Sequence, residues 1–248
     1  MNDQPTGFSS ALAELPIPIV QVGSISQASR HEMLSASKVI VDCQRALSKA
    51  GFNVVGEVIK GHEGFFEMNH YPDGDVFDQE SHAQYYYHAH REGGLEHGHF
   101  HTFMRAQGIA SGVTPMDYPQ ASEEWPRGDQ AIAHLIAISM DPWGLPIGLF
   151  ACNRWVTGET WYSSTDTINM LKDFSVDHAY PSWPTNLWLT SMLRLFRPQI
   201  EALLTHRDMV VGAWQHMHPE HDALEDRTLE ITGYLSISVE EWVSALQA

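Results

Sequence analysis

The segment from Tyr85 to Phe103 reads YYYHAHREGGLEHGHFHTF and holds five histidines, two before a Gly93-Gly94 pair and three after it. Neutral imidazole is the commonest side-chain ligand for transition metals, and its own proton moves near neutral pH. Histidines gathered on one side of two turn-linked strands therefore point to a metal site. The ordinary alternative is a solvated, histidine-rich hairpin that takes up metals only adventitiously.

The Gly-Gly pair suits the positive φ of a two-residue hairpin loop, and such a loop dictates the register. His90 then faces His97, His88 faces His99, Tyr87 faces Phe100 and Tyr86 faces His101. Side chains alternate across a strand, so His88, His90, His97 and His99 project from one face, with Tyr86 and His101 farther along it. The other face carries Tyr85, Tyr87, Ala89 and Arg91 against Glu96, Gly98, Phe100 and Thr102, with Arg91 and Glu96 as an ion pair. Directly opposed Cβ atoms lie about 4.5–5.5 Å apart. Three imidazoles from that rectangle converge on one ion at about 2.0–2.1 Å. The expected ligands are His97 and His99, completed by His88, His90 or both. Tyr86 and His101 are expected to line the pocket as proton donors or substrate contacts, and His134, alone among aliphatics, reads as a satisfied core histidine or else as a further ligand or acid–base group in the same cavity.

Imidazole ligation suits iron or copper, with zinc as the alternative, and disfavours calcium and magnesium. An iron site with one carboxylate would have to draw it from Glu67, Glu159 or Asp177, because none lies on the predicted histidine face. Three protein ligands would leave a position open for water or substrate, whereas four would close the site and suit storage or structure. The pair His97-Gly98-His99 resembles the His-x-His of cupin metal sites. Where those sites place a glutamate three or four residues later, this chain has Thr102 and Phe103. The resemblance is confined to this motif and implies no family.

These residues support a mononuclear metalloenzyme, foremost an oxygen-using oxidoreductase acting on a small molecule, with Tyr85 to Tyr87, Phe100, Trp155 and Trp161 as an aromatic surround. A zinc or other divalent-metal lyase or hydrolase is the second reading, and a non-catalytic metal- or ligand-binding protein the third. Asp177 and His178 in DHAYPSWP form a weaker acid–base candidate, Asn153 a candidate substrate contact, and His216, His218 and His221 read as loop residues. None of GxSxG, a P-loop, HExxH or GxGxxG occurs.

Bulk properties narrow the partners. The 248 residues carry a net charge of -17 with only 14 Lys plus Arg, a field that repels nucleic acid and anionic membrane surfaces. Two cysteines, Cys43 and Cys152, are too few for a disulfide framework. With no secretory pattern at the first residues and no apolar run of about 18, a cytoplasmic setting is expected.

The elements that must position the histidines follow from periodicity. Residues 1–23 read as an irregular lead-in and 24–248 as a single α+β metal-binding domain. A helix is expected from Ser24 to Gly51, with Met33, Ala36, Ile40, Cys43 and Leu47 as its buried stripe. Strands are expected at FNVVGEVIK, GFFEMNHY, both histidine segments, QAIAHLIAISM and PIGLFACNRWVTGET, with PDGDVFDQES as an acidic turn. Helices return near Thr185 and again beyond Pro198, followed by an edge strand in TLEITGYLSI and a terminal helix in SVEEWVSALQ. The fold class is α+β: an antiparallel meander, open or curled into a barrel, with an N-terminal helix and C-terminal helices.

Overall fold

The structure, a computed structural model, describes residues 15–89 and 95–248. Most of the expected lead-in therefore lies outside the described residues. The first long helix, α1 (Gln27–Ser48), is capped by Ser26, whose hydroxyl accepts the Ser29 N–H, and the chain leaves it through Gly51 at φ +76°. Met33, Ala36, Ile40, Cys43 and Leu47 form its buried stripe, so Cys43 is a packing residue.

Two expectations fail between Gly51 and Phe77. FNVVGEVIK contains a short helix, α2 (Val54–Ile59), not a strand. Its β-branched residues favour a strand in isolation, but the Asn53 side chain accepts the Gly56 N–H and starts a helical turn that buries Val54, Val55 and Val58. The first strand is not in GFFEMNHY but in the supposed acidic turn, as β1 (Tyr71–Phe77). Being an edge strand, it tolerates Pro72 and polar residues, and a register shift between Tyr71 and Val76 absorbs Asp73 to Asp75.

The remaining strands are β2 (Ala83–His88), β3 (Gly98–Arg105), β4 (Ile132–Met140), β5 (Pro146–Cys152) and β6 (Ile231–Ser236). They pair in chain order, β1-β2-β3-β4-β5-β6, all antiparallel, in an open sheet not closed into a barrel. β6 is the expected edge strand. The β4–β5 connection follows turn chemistry, with the Gly144 N–H returning to the Asp141 carbonyl.

Helices α3 (Arg154–Thr157), α4 (Ser164–Met170), α5 (Trp183–Leu195), α6 (Arg197–Met217) and α7 (Val239–Gln247) complete the described chain. Pro184 and Pro198 both fall in first turns, where a missing N–H costs nothing. One face of the sheet packs on α5: Tyr85 donates to Asn186 Oδ1 at 2.5 Å, and the rings of Phe100 and Trp188 lie 5.8 Å apart. Tyr85, Tyr87, Phe100, Ile138 and Leu149 belong to that core. The opposite face holds the histidines. Among the described residues no helix is long and apolar enough to cross a membrane.

Candidate metal centre

The hairpin register is the expected one. Tyr86 pairs with His101, Tyr87 with Phe100 and His88 with His99. Alternation then sends Tyr87 and Phe100 to the helices and His88, His99 and His101 to the other face, where all three are buried. Their ligand atoms lie within 4.8 Å of one another, so this group could hold a metal ion.

The nitrogens are oriented as well as gathered. Glu96 Oε1 accepts the Nδ1–H of His99 at 2.8 Å, and Ser139 donates its hydroxyl to Glu96 Oε2. That fixes the His99 tautomer, with Nε2 carrying the lone pair, and Nε2 stands 2.8 Å from His88 Nε2. Two ring nitrogens so close must share either a proton or a cation. Glu96 was expected on the other face, paired with Arg91, which lies outside the described residues. It departs from alternation because β3 starts only at Gly98, leaving Glu96 in the preceding turn, free to reach back to His99.

The same early end of pairing redirects His97. Its N–H donates to the Met140 carbonyl at 2.8 Å, but its ring turns to Tyr87, whose hydroxyl meets Nδ1 at 2.6 Å, and stacks on Phe65. His97 is therefore not brought into the histidine group. His90, the fourth expected ligand, lies outside the described residues.

His101 and His134, both expected as pocket residues, sit within the cluster. His101 Nδ1 and His134 Nε2 share a hydrogen bond at 2.9 Å, and Cys152 Sγ lies 3.6 Å from His134 Nδ1. His101, His134 and Cys152 make a second buried group able to hold a metal. A bulge places His134 there. β3 advances one residue from Thr102 to Phe103 while β4 runs from Ile136 back to His134, leaving Leu135 unpaired. The extra residue puts His134 on the same side as Ala137 and Ser139, which strict alternation would forbid. Burial pushes the His134 pKa down to about 3, so its ring is neutral. Below it, Glu159 Oε2 accepts the His134 N–H at 2.6 Å, and burial raises that carboxyl to about 7.

Tyr86 stands beside the histidines. Its ring is stacked under His70, with centroids 3.6 Å apart and planes 9° apart, and lies 5.3 Å from His88 and 5.1 Å from His101. Burial holds its phenol well above the ordinary range, so it remains an O–H donor. His70 also lines an open depression of about 970 Å³ with Asp75, Gln84 and Arg105. The aromatic surround is smaller than expected. Phe103 and Phe150 flank the cluster with Tyr86, whereas Tyr85, Tyr87 and Phe100 face the helices. Trp155 donates to Leu229 and Trp161 lies under Arg207.

The other candidates have structural partners elsewhere. Asn153 caps α3 and donates to the Ala223 carbonyl. Asp177 accepts from the Trp183 indole and the Asp177–His178 loop packs on α5. Glu67 is exposed.

A family profile described as a domain of unknown function, DUF6969, matches residues 34–237. The chain belongs to this family. The matched span contains every residue of both buried groups. No curated protein and no solved structure matches the chain.

Proposed function

We propose that this chain is a mononuclear transition-metal enzyme, a single domain over residues 24–248, that activates oxygen toward a small organic molecule. His88, His99 and His101 hold the ion in this reading. The observation that carries it is the chain Ser139–Glu96–His99, which presents one imidazole nitrogen, lone pair outward, beside two others. A carboxylate behind a ligating histidine raises its basicity and fixes its orientation. A merely solvated histidine-rich strand has no use for such a partner.

Three ligands leave coordination positions for substrate and oxygen. Imidazole ligands suit iron, copper or zinc, and the oxygen-using reading takes iron or copper. An ion held by these neutral ligands would supply positive charge to polarise a bound molecule, while Tyr86 offers a proton and Phe103 and Phe150 pack beside the cluster. The depression lined by His70 is the side from which a small molecule reaches Tyr86. The -17 charge favours uptake of a cation and opposes nucleic acid as a partner, and a cytoplasmic setting fits two buried cysteines that form no disulfide.

The test is elemental analysis of untagged protein purified without added metal, followed by addition of azide or nitric oxide. About one equivalent of iron or copper whose spectrum changes with the added ligand supports the proposal. Zinc would favour the lyase or hydrolase reading, and a spectrum indifferent to added ligand a binding protein. No metal even after supplementation refutes every reading in which the chain holds a metal.

A further inference from the structure

We propose that His101, His134 and Cys152 form a second metal position beside the first, with the His101 ring as the ligand common to both. The inference rests on the three-histidine reading for its first ion and extends that centre to two ions.

Three observations carry it. The ligand atoms of these residues lie within 4.8 Å of one another, and all three side chains are at least nine-tenths buried. His134 contacts both other members, its Nε2 2.9 Å from His101 Nδ1 and its Nδ1 3.6 Å from Cys152 Sγ, so the three side chains already meet. The third observation is the Leu135 bulge, without which His134 would face the helices rather than His101 and Cys152.

Imidazole has two nitrogens on opposite sides of its ring, and in His101 they serve different neighbours. With Nδ1 turned to His134, Nε2 is the nitrogen left for the His88–His99 side. The two positions also differ in chemistry. Three imidazoles suit a borderline ion, whereas a thiolate with two imidazoles selects copper or zinc. Filling the second position releases the Cys152 thiol proton and, with His101 ligating through both nitrogens, the remaining His101 N–H proton. No electron is transferred in binding. Cys152 therefore makes the pair of positions inequivalent, one suited to reaction and the other to a soft or structural ion.

Cobalt(II) titration of the metal-free full chain distinguishes the outcomes, because thiolate ligation adds an intense near-ultraviolet sulfur-to-cobalt band that imidazole alone does not. The expected result is two equivalents bound, with the band tracking one of them. Cys152→Ser and Cys152→Ala should each bind one equivalent without the band, while Cys43→Ser, on the buried stripe of α1, keeps both. His99→Ala should retain the band and lose the other equivalent. A total of one equivalent bound, carrying the band, would make Cys152 a ligand of one shared ion and overturn the second position. One equivalent with no band would overturn it while leaving the three-histidine site intact. No uptake at all would sink both.

Discussion

Glu96 accepts the Nδ1–H of His99 at 2.8 Å and reaches it from the turn ahead of β3, only three residues away in the chain. Its other oxygen is held by Ser139 from β4, so the carboxylate ties the hairpin to the next strand through the ring it orients. Glu96→Ala should weaken metal affinity by about 10–100-fold, the usual effect of removing such a partner. Glu96→Gln, which keeps a neutral acceptor, should lose less. Competition with a chromophoric chelator measures both, and affinity unchanged in Glu96→Ala would detach the carboxylate from the site.

His97 and His99 lie two residues apart and turn their rings to different partners, Tyr87 and Glu96. His99→Ala should abolish retention of the first ion while leaving the far-ultraviolet circular dichroism unchanged. His97→Ala should keep that ion and cost about 1 kcal/mol of stability, through loss of the bond to the Tyr87 hydroxyl. The reverse pattern in metal content would restore the ligand pair expected from sequence.

Gly98 separates them, and a Cβ there would meet the His88 carbonyl oxygen and the Tyr87 hydroxyl, each at 2.6 Å. Backbone cannot yield as a side-chain tip can. Gly98→Ala should therefore destabilise by about 1–3 kcal/mol. It should also lower metal occupancy, because the strain falls where β2 and β3 hold His88 against His99. Thermal unfolding and metal analysis on one preparation test both effects.

Glu159 sets a pH dependence in the metal-free protein. Burial raises its carboxyl from 4.5 to about 7, so between those values the folded chain holds a proton that the unfolded chain has released. Stability must then fall as pH rises from 4.5 to 7, with the full penalty present above 7. Glu159→Gln mimics the protonated form and should be more stable than the parent above pH 7, by up to about 3 kcal/mol, with the gap closing below pH 4.5. Urea denaturation at pH 4 and pH 8 checks the sign, and a gap that widens on acidification would contradict it.

The sequence carried the hairpin well because its information was local. A Gly-Gly loop and strict alternation were enough to pair His88 with His99 and to separate their face from that of Tyr87 and Phe100. The expectations failed where a non-periodic event intervened. Cys152 was no candidate, because only the three-dimensional fold and the Leu135 bulge bring it together with His134, which was itself a pocket candidate. The early end of pairing at Gly98 turned His97 toward Tyr87 and let Glu96 reach His99. Valines in a helix capped by Asn53 read as a strand, and an edge strand rich in aspartate read as a turn, because in both cases tertiary context outweighed propensity.

The meander has a temporal consequence. His88, His99 and His101 belong to a single hairpin, whereas His134 and Cys152 arrive on the next two strands. Contacts close in sequence are cheap to form, because little loop entropy opposes them. The first three ligands can thus meet while the rest of the sheet is still unmade, and an ion captured at that stage would act as a pin for the nascent hairpin. The later strands would then dock onto a preloaded edge.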